Sequence, residues 1–130
     1  MSKKALIITD GTKSIHSIAQ VISGLMTGFK VDICSSQNFD GKSLLPVDTF
    51  FIGCESPSPV SFTFLKEMLS HINLASRKCG IFSNNDESIK YLRDITNDCE
   101  ADIEELLLLT KSELNESFIK NWLSGVLKCL

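Results

Sequence analysis

The sequence predicts a doubly wound α/β fold, in which helices cover both faces of a parallel sheet. Short, continuous apolar runs alternate along the chain with stretches whose apolar residues recur every three or four positions. A continuous apolar run indicates a strand buried on both faces, and a period of about 3.6 residues indicates a helix. Because crossovers between parallel strands are right-handed, alternating strands and helices predict helices on both sides of the sheet.

Five strands are predicted from the apolar runs. They cover residues 5–8, 31–34, 50–52, 79–82 and 106–109. Each run is expected to be buried on both faces by the helices that precede and follow it.

Four helices are predicted between and after these strands. Their apolar residues are Ile15, Ile18, Ala19, Ile22, Leu25 and Met26 in the first, Phe62, Leu65, Leu69 and Ile72 in the second, Ile89, Leu92, Ile95 and Cys99 in the third, and Leu114, Phe118, Ile119, Trp122, Val126 and Leu127 in the fourth. This spacing places Trp122 in the core, although a tryptophan can also anchor an interface.

Three helix starts carry capping signals. Ser58 before Pro59 matches an N-cap followed by proline at the first helical position, and two pairs resemble capping boxes. The two pairs are Asn84 with Glu87 and Thr110 with Glu113.

The crossover at 35–47 differs from the other connections, since Gly41 and Pro46 interrupt it and only residues 42–45 could make a helical turn. We therefore expect an abbreviated crossover after the second strand.

Length and composition indicate one domain over residues 1–130. A chain of 130 residues that is 43% hydrophobic can build one real core. Its 13 basic and 16 acidic residues give a net charge of −3, and the basic residues are scattered, so no electrostatic footprint for nucleic acid exists. No apolar run reaches the roughly 20 residues that span a bilayer, which predicts a cytoplasmic protein.

The five cysteines do not indicate a disulfide framework or a zinc site. They are odd in number, widely spaced and free of CxxC pairs, which predicts mostly reduced, buried thiols. Cys54 follows the third strand, where it could be a redox thiol or, as we expect, a buried one. His16 and His71 have no partners at metal-site or nucleophile spacing and are expected at the surface.

Three polar loops are candidates for a ligand site. Residues 9–14, 53–61 and 83–88 follow the first, third and fourth strands, and each precedes a helix. Ligands of doubly wound sheets bind at the carboxyl ends of the strands, where helix N-termini offer N–H donors to anions. Residues 9–14 are therefore a candidate phosphate cradle, or else a loop that caps its own helix.

The order and spacing of these elements resemble the flavodoxin family over nearly the whole chain. Residues 47–57 (VDTFFIGCESP) look like the family's third strand and its following loop, and residues 78–83 (KCGIFS) look like its fourth strand. Residues 118–127, with Trp122, are similar to its last helix. The resemblance implies a three-layer α/β/α fold with a five-stranded parallel sheet in the order 2-1-3-4-5.

The resemblance also implies non-covalent binding of FMN and single-electron transfer. The flavin supplies that chemistry, so an electron carrier or binding protein is implied rather than a catalyst, and no catalytic residue is assigned. The family's phosphate loop reads T/S-x-T-G-x-T, whereas residues 9–14 read TDGTKS, with Gly and the central Thr exchanged. The cofactor-binding candidates are Thr9, Asp10, Gly11, Thr12, Lys13, Ser14, Glu55, Ser56, Pro57, Ser58, Ser83, Asn84 and Asn85.

Within this set, individual residues favour or oppose FMN. Thr9 and Ser14 match hydroxyl positions of the family's loop, Lys13 adds a cation, and Asp10 repels a phosphate unless it turns away. The loops after the third and fourth strands lack the aromatic residues that usually flank the flavin ring, which leaves Pro57, Pro59 or Phe62 to contact it. Glu55 and Asp86 would disfavour an anionic reduced flavin.

Two other functions remain open beside electron transfer. The chain could be a flavodoxin-fold protein that has lost FMN and serves as a binding or regulatory module. A receiver domain is the other alternative, since similar places are occupied by Asp10, Glu55, Ser83 and Lys111. However, Glu55 replaces the phosphorylatable Asp, and the paired acidic residues that bind Mg²⁺ are missing.

A redox partner protein with a basic surface could dock on an acidic cluster, whereas the oligomeric state is not predicted. The cluster comprises Asp98, Glu100, Asp102, Glu104 and Glu105.

Overall fold

A parallel sheet forms the centre of the computed structural model, which describes residues 3–39, 41–44, 46–104, 108–109 and 115–127. The strands are β1 (Lys3–Thr9), β2 (Phe29–Ser35), β3 (Thr49–Gly53), β4 (Lys78–Ser83), β5 (Asp102–Ile103) and β6 (Leu108–Leu109). The helices are α1 (Lys13–Leu25), α2 (Thr63–Leu69), α3 (Asp86–Thr96) and α4 (Glu116–Val126). Short 3₁₀ turns cover Gly41–Leu44, Val60–Phe62 and Asn97–Cys99.

The strand order is β2-β1-β3-β4-β5, and all the pairings are parallel. In the central register, Ile7 of β1 lies between Ile33 of β2 and Phe51 of β3. The predicted α/β class and the order 2-1-3-4-5 are therefore confirmed. The order reverses between β1 and β3, which places the start of α1 at the switch point of the sheet.

The far edge of the sheet differs from the prediction of one strand over 106–109. Two short strands pair with successive parts of β4: β5 lies beside Lys78 and Cys79, and β6 lies beside Phe82 and Ser83. Residues 106 and 107 lie outside the described part of the chain. Strand β5 was not predicted because its residues, Asp102 and Ile103, include a charge and form no continuous apolar run.

Two core layers lie on opposite faces of the sheet. One contains α1 and α4, with Ile15, Ile22, Ile119 and Trp122 packed against Phe51 and Phe82. The other contains α2 and α3, packed on the opposite face of β1, β3 and β4. Trp122 is 5% exposed, and its ring centroid lies 5.7 Å from that of Phe51. The prediction that Trp122 faces the core is confirmed.

Strand β2 is not buried on both faces, so that expectation was wrong. It lies at the edge of the sheet. Lys30 and Asp32 are exposed, while Phe29, Val31 and Ile33 are half-buried. The crossover to β3 contains a four-residue 3₁₀ turn, Gly41–Leu44, as its Gly and Pro predict. Since no helix covers β2 from that crossover within the described residues, the apolar run remains partly in water.

Two predicted helix caps were wrong. Ser58 has φ of 54°, outside the extended region of an N-cap, and the chain makes the turn Val60–Phe62 before α2 begins at Thr63. Asn85 rather than Asn84 caps α3, by accepting a 2.8 Å hydrogen bond from the Ser88 N–H. The Thr110 and Glu113 pair lies outside the described residues.

The described helices are also too short to cross a bilayer. The longest, α1, has 13 residues, and no described helix is both long and apolar enough to serve as a membrane span.

Candidate functional site

Three loops meet at the carboxyl ends of β1, β3 and β4, as the sequence predicts. Because these strands are neighbours in a parallel sheet, the loops that follow them emerge at one edge. The Ser14 hydroxyl at the start of α1 donates a 3.0 Å hydrogen bond to the Glu55 carboxylate after β3. The Asn84 amide after β4 donates to the same Ser14 hydroxyl at 3.4 Å. The structure thus brings together residues 70 positions apart in the chain.

Asp10 joins two of these loops through its carboxylate. One carboxylate oxygen accepts hydrogen bonds from the Thr12 N–H (3.1 Å) and the Thr12 hydroxyl (2.6 Å). The other accepts from the Glu55 N–H at 2.8 Å. The carboxylate therefore turns toward the loop after β3 and uses donors that a bound anion would otherwise attract.

Gly11 explains the altered order of the loop residues. Its φ is +84°, a left-handed conformation that glycine adopts without a steric penalty. Its N–H donates a 3.2 Å hydrogen bond to the Thr9 hydroxyl, and Thr9 itself is buried. The loop therefore needs its glycine at position 11, and Thr9 acts within the loop rather than at its surface.

The N-terminus of α1 is left without a side-chain cap. Thr12 is the N-cap residue, but its hydroxyl accepts no capping hydrogen bond and instead donates to Asp10. The first turn of α1 contains Lys13 and no acidic residue. By contrast, α3 and α4 are each capped by an asparagine and carry acidic residues in the first turn. Since first-turn N–H groups have no intrahelical acceptor, the positive end of α1 is suited to an anion. The seven-residue α2 also lacks a side-chain cap and a first-turn acid, but its N-cap residue, Phe62, is fully buried.

The loop after β4 holds the loop after β3 in place. The Asn85 amide and the Ser88 hydroxyl both donate to the Glu55 carbonyl. Ser83 is fully buried, and its hydroxyl donates to the Cys54 carbonyl at 2.6 Å. Ser83, a cofactor-binding candidate, therefore lies beneath the site. Ser88 was not among the predicted site residues, because the predicted cap of this helix was Asn84 and not Asn85, which lies three residues before Ser88.

An open cleft of about 510 Å³ lies between the loops after β3 and β4. Its lining residues are Glu55, Ser56, Pro57, Asn84, Asn85, Asp86 and Glu87. Three carboxylates therefore face this cleft, and none of its lining residues is aromatic. The lining includes the expected Ser56 and Pro57, whereas Ser58 is exposed beyond it.

Phe62 cannot contact a ring in this cleft, contrary to expectation. It is fully buried and lies against Tyr91, with ring centroids 6.4 Å apart. Burial raises the pKa of Tyr91, the nearby Cys54 adds to this shift, and a hydrogen bond with Ser58 opposes it. Phe62 and Tyr91 therefore belong to the core layer of α2 and α3 and not to the lining of the cleft.

Cys54 is a structural thiol. It has no exposed surface, and burial, assisted by the charge of Asp10, raises its pKa to about 12 against a small opposing effect of the Ser88 hydrogen bond. A thiol with this pKa stays protonated at neutral pH and is a poor nucleophile. The prediction of a buried cysteine is confirmed, and the four described cysteines, Cys34, Cys54, Cys79 and Cys99, are free. Cys129 lies outside the described residues.

The remaining polar candidates lie apart from this site. His16 and His71 are exposed, as predicted, and the described residues contain no cluster of three or more His, Cys, Asp or Glu suited to a metal ion. In the acidic cluster, Asp102 forms an ion pair with Lys78. Glu105, the side chain of Asp98 and the receiver-type Lys111 are outside the description. Docking of a redox partner on this cluster stays a prediction.

Comparison with known proteins identifies the fold. The sequence matches no protein-family model, and no curated protein matches it. A solved short-chain flavodoxin associated with a bacterial microcompartment has a TM-score of 0.81 and 13% identity, over 98% of both chains. The flavodoxin of Streptococcus pneumonia TIGR4 has a TM-score of 0.78 and 16% identity, over 96% of this chain and 95% of that one. A Fusobacterium nucleatum flavodoxin bound to flavin mononucleotide has a TM-score of 0.73 and 10% identity, over 97% of each chain. This chain therefore has a flavodoxin-like fold.

Proposed function

We propose that this chain, which has a flavodoxin-like fold, binds FMN non-covalently and takes part in electron transfer in the cytoplasm. The observation that carries the proposal is the uncapped N-terminus of α1, with Lys13 in its first turn, at the switch point between β1 and β3. Doubly wound folds bind the phosphates of their ligands at this kind of position. The FMN-bound Fusobacterium nucleatum flavodoxin of the same fold supports the choice of ligand.

Each part of the site has a distinct role in this proposal. The first-turn N–H groups of α1 and the Lys13 ammonium hold the phosphate, and the Thr12 and Ser14 hydroxyls lie beside them. The open cleft offers Ser56 and Asn84 to the polar edge of the ring. Bound FMN supplies the one-electron chemistry. The carboxylates of Glu55 and Asp86 disfavour a negative charge on the flavin and so lower its reduction potential.

A second candidate function is a flavin-free binding or regulatory module. It is favoured by the carboxylate of Asp10, which accepts hydrogen bonds from the N–H groups of Thr12 and Glu55 and is itself negative. The absence of an aromatic residue among those lining the cleft points the same way, since a stacked aromatic contact is worth about 0.5–1.5 kcal/mol beyond area burial.

The first experiment is a visible absorption spectrum of the purified protein, followed by titration of the flavin-free form. FMN and riboflavin are compared by the quenching of their fluorescence. We expect micromolar or tighter binding of FMN and much weaker binding of riboflavin, because riboflavin lacks the phosphate. Absence of FMN binding at high micromolar concentration overturns the electron-carrier proposal and leaves the flavin-free module.

The variant Lys13→Ala tests where the phosphate binds. We expect it to weaken FMN binding about twofold to fivefold, the effect of one charge at a helix end, and to leave riboflavin binding unchanged. Lys120→Ala, which removes an exposed lysine from α4, is the matched control and should change neither affinity. Equal weakening of both ligands by Lys13→Ala would mean that this lysine acts on the ring or on the fold instead.

A further inference from the structure

The exposed edge of β2 is a surface that the flavin proposal does not use. β2 is seven residues long, lies at the end of the strand order and is hydrogen-bonded to β1 along one side. Its half-buried residues Phe29, Val31 and Ile33 share the face that packs toward α1, and the exposed Lys30 and Asp32 lie on the other face. An edge strand of this length, with the β-branched Val31 and Ile33 near its centre, can pair with another strand.

The residues of this edge are self-complementary about Val31. If a second β2 pairs with it in antiparallel orientation and a two-fold axis passes through Val31, residue numbers directly opposite each other add up to 62. Lys30 then faces the partner's Asp32, and Asp32 faces the partner's Lys30. On the opposite face, Phe29 lies across from the partner's Ile33. Opposite charges and apolar pairs that face each other across strands stabilise an antiparallel pair.

Neighbouring registers lack this complementarity. An axis through Lys30 places two lysines opposite each other, and an axis through Asp32 places two aspartates opposite each other. A shift that pairs Val31 with Asp32 sets an apolar residue against a charge and puts the two α1 layers on opposite faces of the joint sheet. Of these registers, the one centred on Val31 satisfies the charges.

The face of β2 that carries the charges is also open to a partner. The crossover after β2 forms the 3₁₀ turn Gly41–Leu44 in place of a covering helix. A hollow of about 330 Å³ remains beneath this crossover, and Lys30, Asp32 and Phe39 are among the residues that line it. A second strand can therefore approach the edge without displacing any helix in the part of the chain that the structure describes.

From these observations we propose that two copies of this chain associate through their β2 edges. The two sheets join into one, and the two-fold axis passes midway between the Val31 residues of the two copies. Two Lys30–Asp32 pairs flank this axis on the same face. The occupant of the edge is a second copy because both the charges and the apolar residues of the strand complement themselves.

Charge exchange at this edge tests the register as well as the association. Sedimentation velocity over about 10–500 µM protein should show a reversible dimer for the natural sequence. K30D and D32K each place like charges opposite each other twice, so we expect each to weaken association about tenfold or more. The double variant K30D/D32K restores opposite charges, as does an equimolar mixture of the two single variants, and both should dimerise again.

Charge changes elsewhere serve as matched controls. K66D and E67K reverse one charge each at exposed positions of α2 and should not alter association. Circular dichroism and thermal unfolding check that each variant is folded. The proposal is overturned if the natural sequence is monomeric throughout the concentration range, or if the single variants dimerise as well as it does. Failure of the mixture of single variants to associate also overturns the register.

Discussion

The carboxylate of Asp10 has two opposed effects on the candidate site: it connects two loops, and it repels anions. Its carboxylate accepts from Thr12 and from Glu55, which fastens the β1 loop to the β3 loop. The same negative charge lies next to the uncapped start of α1, where it opposes a phosphate. One side chain thus contributes to the shape of the site and reduces its affinity for anions.

The substitution Asp10→Asn removes the charge and keeps one of the two acceptor oxygens. The amide oxygen can still accept from Thr12, whereas the amide NH2 cannot accept from the Glu55 N–H. Because the negative charge is lost, we expect FMN to bind about threefold to tenfold more tightly. Fluorescence titration at low and high salt measures the change, which should shrink as salt screens the charge. Asp94→Asn, on an exposed position of α3, is the control. Weaker FMN binding by Asp10→Asn would show that the loop tie matters more than the charge.

Helix starts are the elements that connect sequence to site. α1 begins without a side-chain cap, and α3 begins with Asn85, whose carbonyl oxygen caps the helix while its amide donates to the Glu55 carbonyl. An uncapped helix end keeps its donors for a ligand, whereas a capped end stabilises the fold. In the proposed function, α1 is therefore the helix that binds the ligand, and α3 is the helix that supports the loop after β3.

Two substitutions of Asn85 distinguish the cap from the tie to Glu55. We expect Asn85→Ala to lower the free energy of unfolding by about 1–2 kcal/mol, since both contacts are lost. Asn85→Asp retains a capping oxygen but cannot donate to Glu55, and should cost less. Urea unfolding measures both, with Asn121→Ala on an exposed position of α4 as the control. If Asn85→Asp is as unstable as Asn85→Ala, the amide contact rather than the cap stabilises the loop.

At the scale of the whole molecule, close packing between the sheet and α4 depends on Gly80 in β4. A Cβ atom at this position would lie 2.6 Å from a Phe51 ring carbon and 2.9 Å from a Trp122 ring carbon. Real Cβ atoms do not approach other carbons so closely, so the two rings fill the space that a side chain would need. The glycine permits α4 to reach the sheet.

Paired glycine substitutions test this packing. We expect Gly80→Ala to lower the free energy of unfolding by about 1–3 kcal/mol through overpacking. Gly24→Ala, in α1, meets nothing within 4 Å and should raise it by up to about 1 kcal/mol, because alanine favours a helix. Urea unfolding of the two variants against the natural sequence gives both values. A neutral Gly80→Ala would mean that the Phe51 and Trp122 rings move aside at little cost.

The sequence by itself determined the α/β class, the strand order and the core position of Trp122. Those features follow from apolar periodicity and, for the strand order, from the family resemblance. It also located the three loops, since Thr9, Gly53 and Ser83 end their strands in the chain itself. The sequence did not predict β5. This strand forms through backbone hydrogen bonds to its neighbours in the sheet, and such bonds leave no pattern in the side chains of Asp102 and Ile103.

Only the tertiary structure decided what the candidate site residues do. Ser83 and Thr9 are hydroxyl residues like Ser14, yet the fold buries the first two and leaves Ser14 to bridge Glu55 and Asn84. Likewise, the sequence allowed Phe62 to contact a flavin ring, but the fold buries this side chain against Tyr91. The physical reason is that donor use and exposure depend on neighbours 29 to 70 positions away, whereas periodicity reports only the residues next to each other on one strand or helix.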